Sequence, residues 1–453
     1  MTTTRRRRLQ VAAVLIGLTL LAAACGSDNK KTPAAAASSS GAPAAAPKGP
    51  PGALEGLRGT TPSPDLGPLT DFKAKLDAQG LSLNKTYSYG PESYDAVVVI
   101  ALAAEAAGSD GIDMAKQINQ VTRGGTKCTS YKDCDALIKA GTKDIDYDGV
   151  SGPLEFSGNG EPTVASYAVQ QYDSKDQIDD SKTVYKTAKA PTSADVAEVP
   201  VEGTRAGDGT LKIGTFLPVT GSLASLGPPE IAGVRLAIAD INAAGGALGK
   251  PVAVTEGDSS DAQNPTVGTQ TIDRLLGENV DAIVGAASSS VTLNNIDKVT
   301  SAGVVMFSPA NTSKKLSTYA DKGLYFRDAP SDILQGQVLG DVVSGDNVST
   351  VGLLVLNDAY GTGLADDFTK SFEASGGKVV KTVIYDPKAQ TFDSEVDQIK
   401  AENPDGIVVI GFEESSRIFA TLVEKGIGPK DKKEYCVDGN IGNQLGVAFE
   451  AGK

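Results

Sequence analysis

Residues 211–246, LKIGTFLPVTGSLASLGPPEIAGVRLAIADINAAGG, place a short apolar strand before a long helical stretch. The same alternation continues as far as Phe449, with almost wholly apolar strands and amphipathic helices. This pattern is typical of parallel sheets that are covered by helices on both faces. Ligands of such sheets bind beyond the carboxyl ends of the strands. We therefore predict an α/β fold with its site at those ends.

The predicted strands are short and rich in Val, Ile and Leu: Leu211–Leu217, Val252–Glu256, Ala282–Val284, Val304–Ser308, Thr350–Leu356, Val379–Tyr385, Gly406–Ile410 and Glu434–Val437. The predicted helices lie between them, at Ile231–Ala244, Pro265–Leu276, Leu293–Ala302, Asp332–Val343, Gly363–Ala374, Phe392–Glu402 and Glu414–Lys425. Small polar residues cluster where strands end, at 285–290, 308–312, 357–360, 411–413 and 438–440. These clusters are the candidate ligand loops.

The N-terminus has the pattern of an export signal. Arg5–Arg8 are basic, and Leu9–Ala24 form an apolar run too short for a comfortable membrane span. The run ends in LAAAC, which resembles a lipobox and predicts lipidation of Cys25 after removal of residues 1–24. The alternative is an ordinary cleaved signal with a chance cysteine. Twin-arginine export fits poorly, and the Ala/Pro/Ser/Gly-rich residues 25–52 indicate a flexible tether.

The composition excludes several classes of function. The net charge is −14, and basic residues form no stripe outside the signal, which argues against nucleic acid as a partner. The chain has no histidine, so Ser-His-Asp and Cys-His catalysis and histidine metal sites are impossible. No paired-carboxylate motif and no G-x-G-x-x-G after a strand are present. We predict no catalytic residues, no cofactor and no metal.

Three cysteines remain after Cys25. Cys128 and Cys134 lie close together in GGTKCTSYKDCDAL, and in an exported protein they predict a local disulfide. A metal pair is poorly supported without further ligands. Cys436, in an apolar run, is expected to be a buried free thiol.

Seven motifs in order give the chain a family resemblance. LKIGTFLPVTGSLASLG, GVRLAIADINAAGG, VDAIVGAASSS, VVMFSPANTS, NDAYGTGLADDF, NPDGIVVIGF and CVDGN resemble the leucine/isoleucine/valine-binding family, type I solute-binding lipoproteins of ABC importers. The early segments LEGLRGTTPSP, SYDAVVVIALAAEAAGS and YDGVSGPLEFSGNGEPTVASYAVQQYD resemble the end of the same family. Together these stretches cover nearly all of the chain after the tether.

The order of these segments departs from the family. The simplest explanation is a circular permutation in which residues 173–210, polar and rich in Pro, Ala, Thr and Glu around 181–208, act as a flexible linker between the usual ends. The alternative is a remnant of a tandem array, with one fold completed within a chain or by exchange between two chains.

The resemblance implies a type I periplasmic-binding-protein fold: two Rossmann-like lobes with parallel sheets, in permuted order. Lobe I would contain 62–143 and 211–329. Lobe II would contain 54–61, 144–172 and 330–453, with a hairpin over 144–172 that turns at Ser157-Gly-Asn-Gly160. Closure of the lobes by hinge bending would trap the ligand.

The resemblance also implies a ligand site formed by Ser288, Ser289, Asn311, Thr312, Tyr360, Phe412, Asp438 and Leu226. The serines at a helix start and the Asn311–Thr312 loop suit the carboxylate and amine of an amino acid. The acid of CVDGN suits its ammonium, and the two aromatic residues would form walls. Phe412 lacks the hydroxyl that a tyrosine would bring.

Six of these eight residues also have a purely structural interpretation. Ser288 and Ser289 could simply cap a helix, and the Asn311–Thr312 loop could be a turn. Tyr360 could be a core residue with a satisfied hydroxyl, and Asp438 could form an Asx-turn. Leu226 stands where relatives carry larger aromatic residues, which would leave room for a bulkier ligand side chain.

The sequence therefore predicts a monomeric, lipid-anchored protein at the outer face of the cytoplasmic membrane. It would capture an amino acid, branched-chain or a related small zwitterion or amide, and deliver it to an ABC permease. The alternatives are a ligand-sensing receptor of the same fold and a degenerate scaffold that binds nothing.

Overall fold

A computed structural model describes residues 49–83, 85–190, 197–447 and 449. The predicted signal peptide, Cys25 and most of the tether lie outside the described residues. The strands are β1 Arg58–Pro62, β2 Thr126–Cys128, β3 Ile145–Tyr147, β4 Val164–Gln171, β5 Val184–Lys189, β6 Lys212–Phe216, β7 Ala253–Thr255, β8 Ala282–Gly285, β9 Val305–Ser308, β10 Tyr325–Arg327, β11 Thr350–Leu356, β12 Lys378–Tyr385, β13 Gly406–Ile410 and β14 Lys433–Cys436.

The helices alternate with these strands over most of the chain. They are α1 Thr70–Asp77, α2 Gly90–Ala107, α3 Tyr131–Lys139, α4 Gly227–Ala243, α5 Pro265–Gly277, α6 Ser289–Ser301, α7 Asp332–Gly345, α8 Ala359–Ala374, α9 Asp393–Glu402, α10 Ser415–Glu424 and α11 Asn443–Val447. Short 3-10 turns occur at Ile112–Gln117 and Asp180–Lys182. Within the described ranges, no helix combines the length and apolar character needed to cross a bilayer.

Lobe I is built on five parallel strands in the order β10-β9-β8-β6-β7. If these strands are numbered 1 to 5 in the order of the sequence, their order across the sheet, starting from β7, is 2-1-3-4-5, a doubly wound arrangement. Strands β8 (AIVG) and β9 (VMFS) are completely buried, as expected for central strands of a parallel sheet. Helices α2 and α4 pack together in the core of this lobe.

Lobe II is built on seven strands in the order β12-β11-β13-β14-β1-β4-β5. The first five are parallel and again follow a 2-1-3-4-5 order, but the fifth place is taken by β1, from the front of the chain. Arg58 lies opposite Tyr435, and Gly59 lies opposite Cys436. Strand β4 runs antiparallel to β1, and β5 runs antiparallel to β4.

The elements downstream of Leu211 agree with the sequence pattern. Each predicted strand is present, with its ends shifted by at most one residue, and β10 is added. Helices α4, α6 and α8 begin one turn earlier than predicted. Their first turns, GPPE, SSVT and AYGT, carry no apolar periodicity to mark them.

The predicted hairpin over 144–172 is wrong in its first half. Strand β3 pairs with β2 instead, and its Ile145 and Tyr147 are buried in the core of lobe I. The reason is Asp95 of α2, whose buried carboxylate accepts hydrogen bonds from the Tyr147 hydroxyl at 2.7 Å and from Ser151 N at 2.7 Å. The turn at 157–160 is present, with a hydrogen bond from Gly160 N to Ser157 O.

The predicted flexible linker over 173–210 is also wrong in part. Residues 184–189 form β5, and residues near 205 are tied to lobe I. Arg205 pairs with Asp281 at 2.7 Å, and its backbone carbonyl accepts a hydrogen bond from Ile112 N. The Asp110 carboxylate accepts hydrogen bonds from three successive backbone N–H groups, at 208–210. These polar contacts hold a segment whose composition indicates flexibility.

The predicted disulfide is confirmed: Cys128 and Cys134 are bonded, with Cα atoms 5.4 Å apart. It joins β2 to the first turns of α3. Cys436 is confirmed as a buried free thiol on β14. Its Sγ lies 3.4 Å from the carbonyl oxygen of Arg58 on the neighbouring strand.

Buried carboxylates lie where the chain passes between the lobes. Glu92 and Asp328 line a cavity of about 20 Å³ together with Pro62, Pro162 and Pro330. Glu92 Oε2 and both Asp328 oxygens have no hydrogen-bond partner among the described residues. Burial raises the pKa of Glu92 from 4.5 to about 8 and raises that of Asp328 well above its ordinary value. Both groups therefore favour the protonated form.

Candidate functional site

The candidate site lies between the two lobes at the carboxyl ends of both sheets. In a 2-1-3-4-5 sheet the connections leave strands 1 and 3 in opposite directions, which opens a crevice between them. In lobe I the crevice lies between the loops after β6 and β8. In lobe II it lies between the loops after β11 and β13. The two crevices face one another.

A small cavity of about 10 Å³, which we call the inner cavity, lies where these loops meet. Such a volume is close to the minimum for a single water molecule. Seven of the eight predicted ligand residues line it: Leu226, Ser288, Ser289, Thr312, Tyr360, Phe412 and Asp438. The structure therefore brings together residues from the segments that follow six different strands.

The lobe I wall is the N-terminus of α6. Ser288 is the capping residue, and its hydroxyl accepts a hydrogen bond from Val291 N at 3.4 Å. The Ser289 hydroxyl accepts one from Ser313 N at 3.3 Å. The first N–H groups of a helix have no intrahelical acceptor and favour an anion. Capping and ligand binding are compatible here, because both serines still line the inner cavity.

Asn311 is the predicted residue whose side chain does not line the inner cavity. It is completely buried, and its Nδ2 donates to the carbonyl oxygens of Ala286 and Ala287 at 2.9 and 2.8 Å. Its Oδ1 accepts from the Tyr325 hydroxyl at 3.0 Å. The side chain thus joins the loops after β8 and β9, which is a structural role.

Arg327 fixes the same loop through its backbone carbonyls and was not predicted from the sequence. It is completely buried, and its Nη1 donates to the carbonyl oxygens of Asn311 and Ser313 at 3.1 and 3.0 Å. It also forms an ion pair with Glu161. Thr312 is held between these two carbonyls and faces the inner cavity.

Asp438 is the charged group of the lobe II wall. Its Oδ1 accepts hydrogen bonds from Tyr360 Oη at 2.7 Å and Gln335 Nε2 at 2.8 Å. Its Oδ2 accepts one from Tyr89 Oη at 2.7 Å. Burial raises the pKa of Asp438, and the three hydrogen bonds oppose this rise. Oδ2 has a single protein partner among the described residues, so it retains capacity to accept a hydrogen bond from a ligand.

Tyr89 and Gln335 were also missed by the sequence analysis. Tyr89 caps the start of α2 in lobe I, and its hydroxyl reaches across to Asp438 in lobe II. Gln335 lies in the first turn of α7. Neither residue follows a strand of the predicted alternation, so the strand-end signal could not identify them.

The remaining walls are apolar. The rings of Tyr360 and Phe412 are stacked, with centroids 5.3 Å apart and planes 11° from parallel. Leu226, at the start of α4, packs in the same buried cluster. Other contacts keep the lobes together, including Ser313 Oγ to Ala359 O at 2.9 Å and Lys314 to Asp367 at 2.9 Å. The conformation is therefore a closed one.

A wider cavity of about 430 Å³ adjoins the inner cavity. Leu226, Phe412, Asp438 and Gly439 line both. The residues around the wider cavity come from the loop before α2, the start of α4, the loop after β13 and the segment after β14. Among the residues that the structure describes, no group of three or more acidic or cysteine side chains is placed to hold a metal ion.

Comparisons with known proteins agree with this architecture. The family described as periplasmic binding protein matches residues 210–432. Leu/Ile/Val-binding protein homolog 2 of Brucella abortus is 32% identical over 186 residues, which is 40% of this chain and 48% of that protein. Leu/Ile/Val-binding protein BraC3 of Rhizobium johnstonii is 28% identical over 239 residues, which is 52% of this chain and 62% of that protein.

Among solved structures, the branched-chain amino acid transporter substrate binding protein LivJ of Streptococcus pneumoniae, in complex with isoleucine, is 30% identical. The match covers 53% of this chain and 68% of LivJ, with a TM-score of 0.47. The chain spans about half the length of the first curated relative it matches.

These matches, with the two-lobed α/β fold, define a type I periplasmic binding protein. The chain belongs to the leucine/isoleucine/valine-binding family. Members of this family are substrate-binding proteins and not enzymes, which agrees with the sequence prediction.

Proposed function

We propose that this protein captures an amino acid, branched-chain or a related small zwitterion or amide, between its lobes. The observation that carries the proposal is the polarity of the inner cavity. One wall offers the N-terminus of α6 with Ser288, Ser289 and Thr312, and the opposite wall offers the Asp438 carboxylate. A zwitterion has the complementary charges: its carboxylate suits the helix N-terminus, and its ammonium suits Asp438.

The burial of Asp438 supports the same proposal. A carboxylate held in a closed cleft without a cationic partner is costly unless a ligand supplies the opposite charge. The three neutral hydrogen-bond donors around Asp438 orient it without neutralising it. The site is therefore prepared for a cationic group of small size.

The wider biological role follows the family. We propose an extracytoplasmic, monomeric protein anchored through lipidated Cys25, which presents its closed form to an ABC permease. The relatives' printed names support amino acid binding and transport. Mass spectrometry of the membrane-extracted protein tests the anchor: a diacylglycerol adduct on Cys25 is expected, and an unmodified chain would contradict it.

We also propose that the segment order is a circular permutation of the family fold. Its support is the position of β1, which completes the parallel part of the lobe II sheet next to β14. The Arg58–Asp346 ion pair then joins the front of the chain to α7 within lobe II. Light scattering tests completion within one chain: a monomer that binds ligand is expected, whereas an obligate dimer would indicate exchange between two chains.

Thermal unfolding of the purified protein with a panel of L-amino acids and short amides tests the binding function. A ligand at 100 times its Kd adds about 2.7 kcal/mol, which raises the midpoint by a few degrees. Selective stabilisation by some amino acids is expected. A cooperative transition that no member of the panel moves would overturn the proposal and favour a different solute or a scaffold. Loss of amino acid uptake in a deletion strain would distinguish a transport role from a sensing role.

A further inference from the structure

The wider cavity is larger than a branched-chain amino acid needs. Its volume is about 430 Å³, while one water molecule takes about 30 Å³ in the liquid. Pockets of about 300–1,000 Å³ usually hold whole small-molecule ligands. A side chain of four carbons would leave most of this space filled with water.

The wider cavity begins at the amino acid head site. Asp438 and Gly439 form part of both cavities, so a ligand whose ammonium meets Asp438 has its remaining atoms at the junction. Leu226 and Phe412 form the other shared walls. Because the inner cavity of this closed conformation measures only about 10 Å³, the lobes have to separate to admit the amino acid head, and its side chain then extends into the wider cavity.

The buried lining of the wider cavity is largely apolar, whereas its exposed lining, which includes Ser82, Ser225 and Gln444, is mostly polar. Leu83, Leu226, Phe412, Ile441 and Leu445 line it, and all five are buried. Its charged lining residues, among those described, are the two acids Asp438 and Glu413, of which Glu413 is exposed. Among the described residues that line the space there is no Lys or Arg, so these walls offer no partner for a second carboxylate of the ligand.

We propose that the site selects amino acids with side chains larger than that of leucine, and in particular aromatic amino acids. This inference rests on the proposed function, because it assumes that an amino acid head is bound at Asp438. Leu226 is the specificity-determining residue, since it forms the wall at the junction of the two cavities. A larger residue there narrows the passage without changing the polar groups.

The test is isothermal titration of the full chain with L-leucine, L-isoleucine, L-phenylalanine and L-tryptophan. One methylene in an apolar pocket already changes discrimination by about tenfold or more. We therefore expect the best aromatic ligand to bind at least about tenfold more tightly than leucine. Leu226→Phe is expected to weaken aromatic binding at least about tenfold more than it weakens leucine binding.

Two further variants complete the experiment. Leu445 lines the wider cavity but not the inner one, so Leu445→Trp fills only the wider cavity. This variant is also expected to weaken aromatic binding more than leucine binding. Val219→Phe is the control, because Val219 follows β6 but is 55% exposed and lines neither cavity. Its affinities are expected to equal those of the unaltered protein.

The outcomes separate this inference from the proposed function. If leucine or isoleucine binds as tightly as the aromatic ligands, the inference is wrong while the proposed function stands. The same holds if aromatic binding survives both Leu226→Phe and Leu445→Trp. If no amino acid binds the unaltered protein, the proposed function itself fails.

Discussion

Replacement of Asp438 by asparagine is expected to have opposite effects on stability and on ligand affinity. The substitution keeps the size of the side chain and removes its charge. Burial raises the pKa of Asp438, so the ionised group costs free energy in the unliganded fold. We therefore expect Asp438→Asn to unfold at the same temperature as the unaltered protein or a higher one.

Ligand affinity is expected to fall steeply in the same variant. In the closed cleft the ammonium of the ligand and the carboxylate are both removed from water. Breaking one partner of such a pair costs about 3–5 kcal/mol. Since each 1.4 kcal/mol is a factor of ten, the Kd should rise by roughly 10²-fold to 4 × 10³-fold. The three hydrogen-bond donors around the side chain limit how far it can turn to compensate.

The assay combines isothermal titration with thermal unfolding in the absence and presence of ligand. Glu434→Gln is the matched control, because Glu434 is a buried carboxylate on β14 with neither oxygen hydrogen-bonded among the described residues. It lines neither the inner nor the wider cavity. Both variants should keep or raise the midpoint, but only Asp438→Asn should lose the stabilisation by ligand.

Two results would refute this reasoning. Equal ligand affinity in Asp438→Asn and the unaltered protein would show that no ammonium meets this carboxylate. Equal loss of affinity in Glu434→Gln would show that the effect arises from a general change in lobe II. A variant that fails to fold would contradict the view that the buried charge is a cost.

Further predictions concern pH, redox state and backbone geometry. Because burial raises the pKa of Glu92 from 4.5 to about 8, the folded protein holds a proton that the unfolded chain releases in that range. The free energy of unfolding therefore falls as pH rises through this window. In Glu92→Gln, the free energy of unfolding in urea should depend less on pH between about pH 5 and 8. An unchanged dependence on pH would contradict this prediction. Reduction of the Cys128–Cys134 disulfide should lower the free energy of unfolding by about 2 kcal/mol, because the disulfide closes a short loop. Urea unfolding with and without dithiothreitol measures this difference. No difference would mean that other contacts hold the loop. At Gly285, φ is +129° and a Cβ would lie 2.0 Å from Phe216 O. Gly285→Ala should therefore lower the free energy of unfolding in urea by about 2 kcal/mol or more and weaken ligand binding. An unaltered unfolding midpoint would show that β6 and β8 can separate freely.

The sequence predicts the sheets well because parallel strands buried on both faces must be continuously apolar. Strand β13 (GIVVI) is completely buried and has the predicted ends. Seven of the eight predicted ligand residues line the inner cavity, and six of these seven lie in the clusters of small polar residues at strand ends. The local sequence pattern was sufficient to predict these residues, because the direction of a strand alone determines at which edge of the sheet the following loop lies.

What the sequence did not reveal depends on contacts between distant segments. Tyr89 and Asp438 are 349 positions apart, and Gln335 and Asp438 are 103 apart. Asn311 was assigned to the ligand, but the carbonyls of Ala286 and Ala287 occupy its amide. No local pattern states which of several polar side chains in a loop will turn inward to satisfy buried backbone groups.

The position of β1 has a consequence for how the chain assembles. The sheet of lobe I comes from one continuous stretch, whereas Cys436 and Arg58 on neighbouring strands of lobe II are 378 positions apart. Contacts between such distant residues require closure of a very long loop before they give any stabilisation, and they slow folding. Until β14 is available, one edge of β1 remains unpaired and can pair with another chain. During synthesis, lobe II is therefore the part of this protein most exposed to aggregation, because its sheet is completed after that of lobe I.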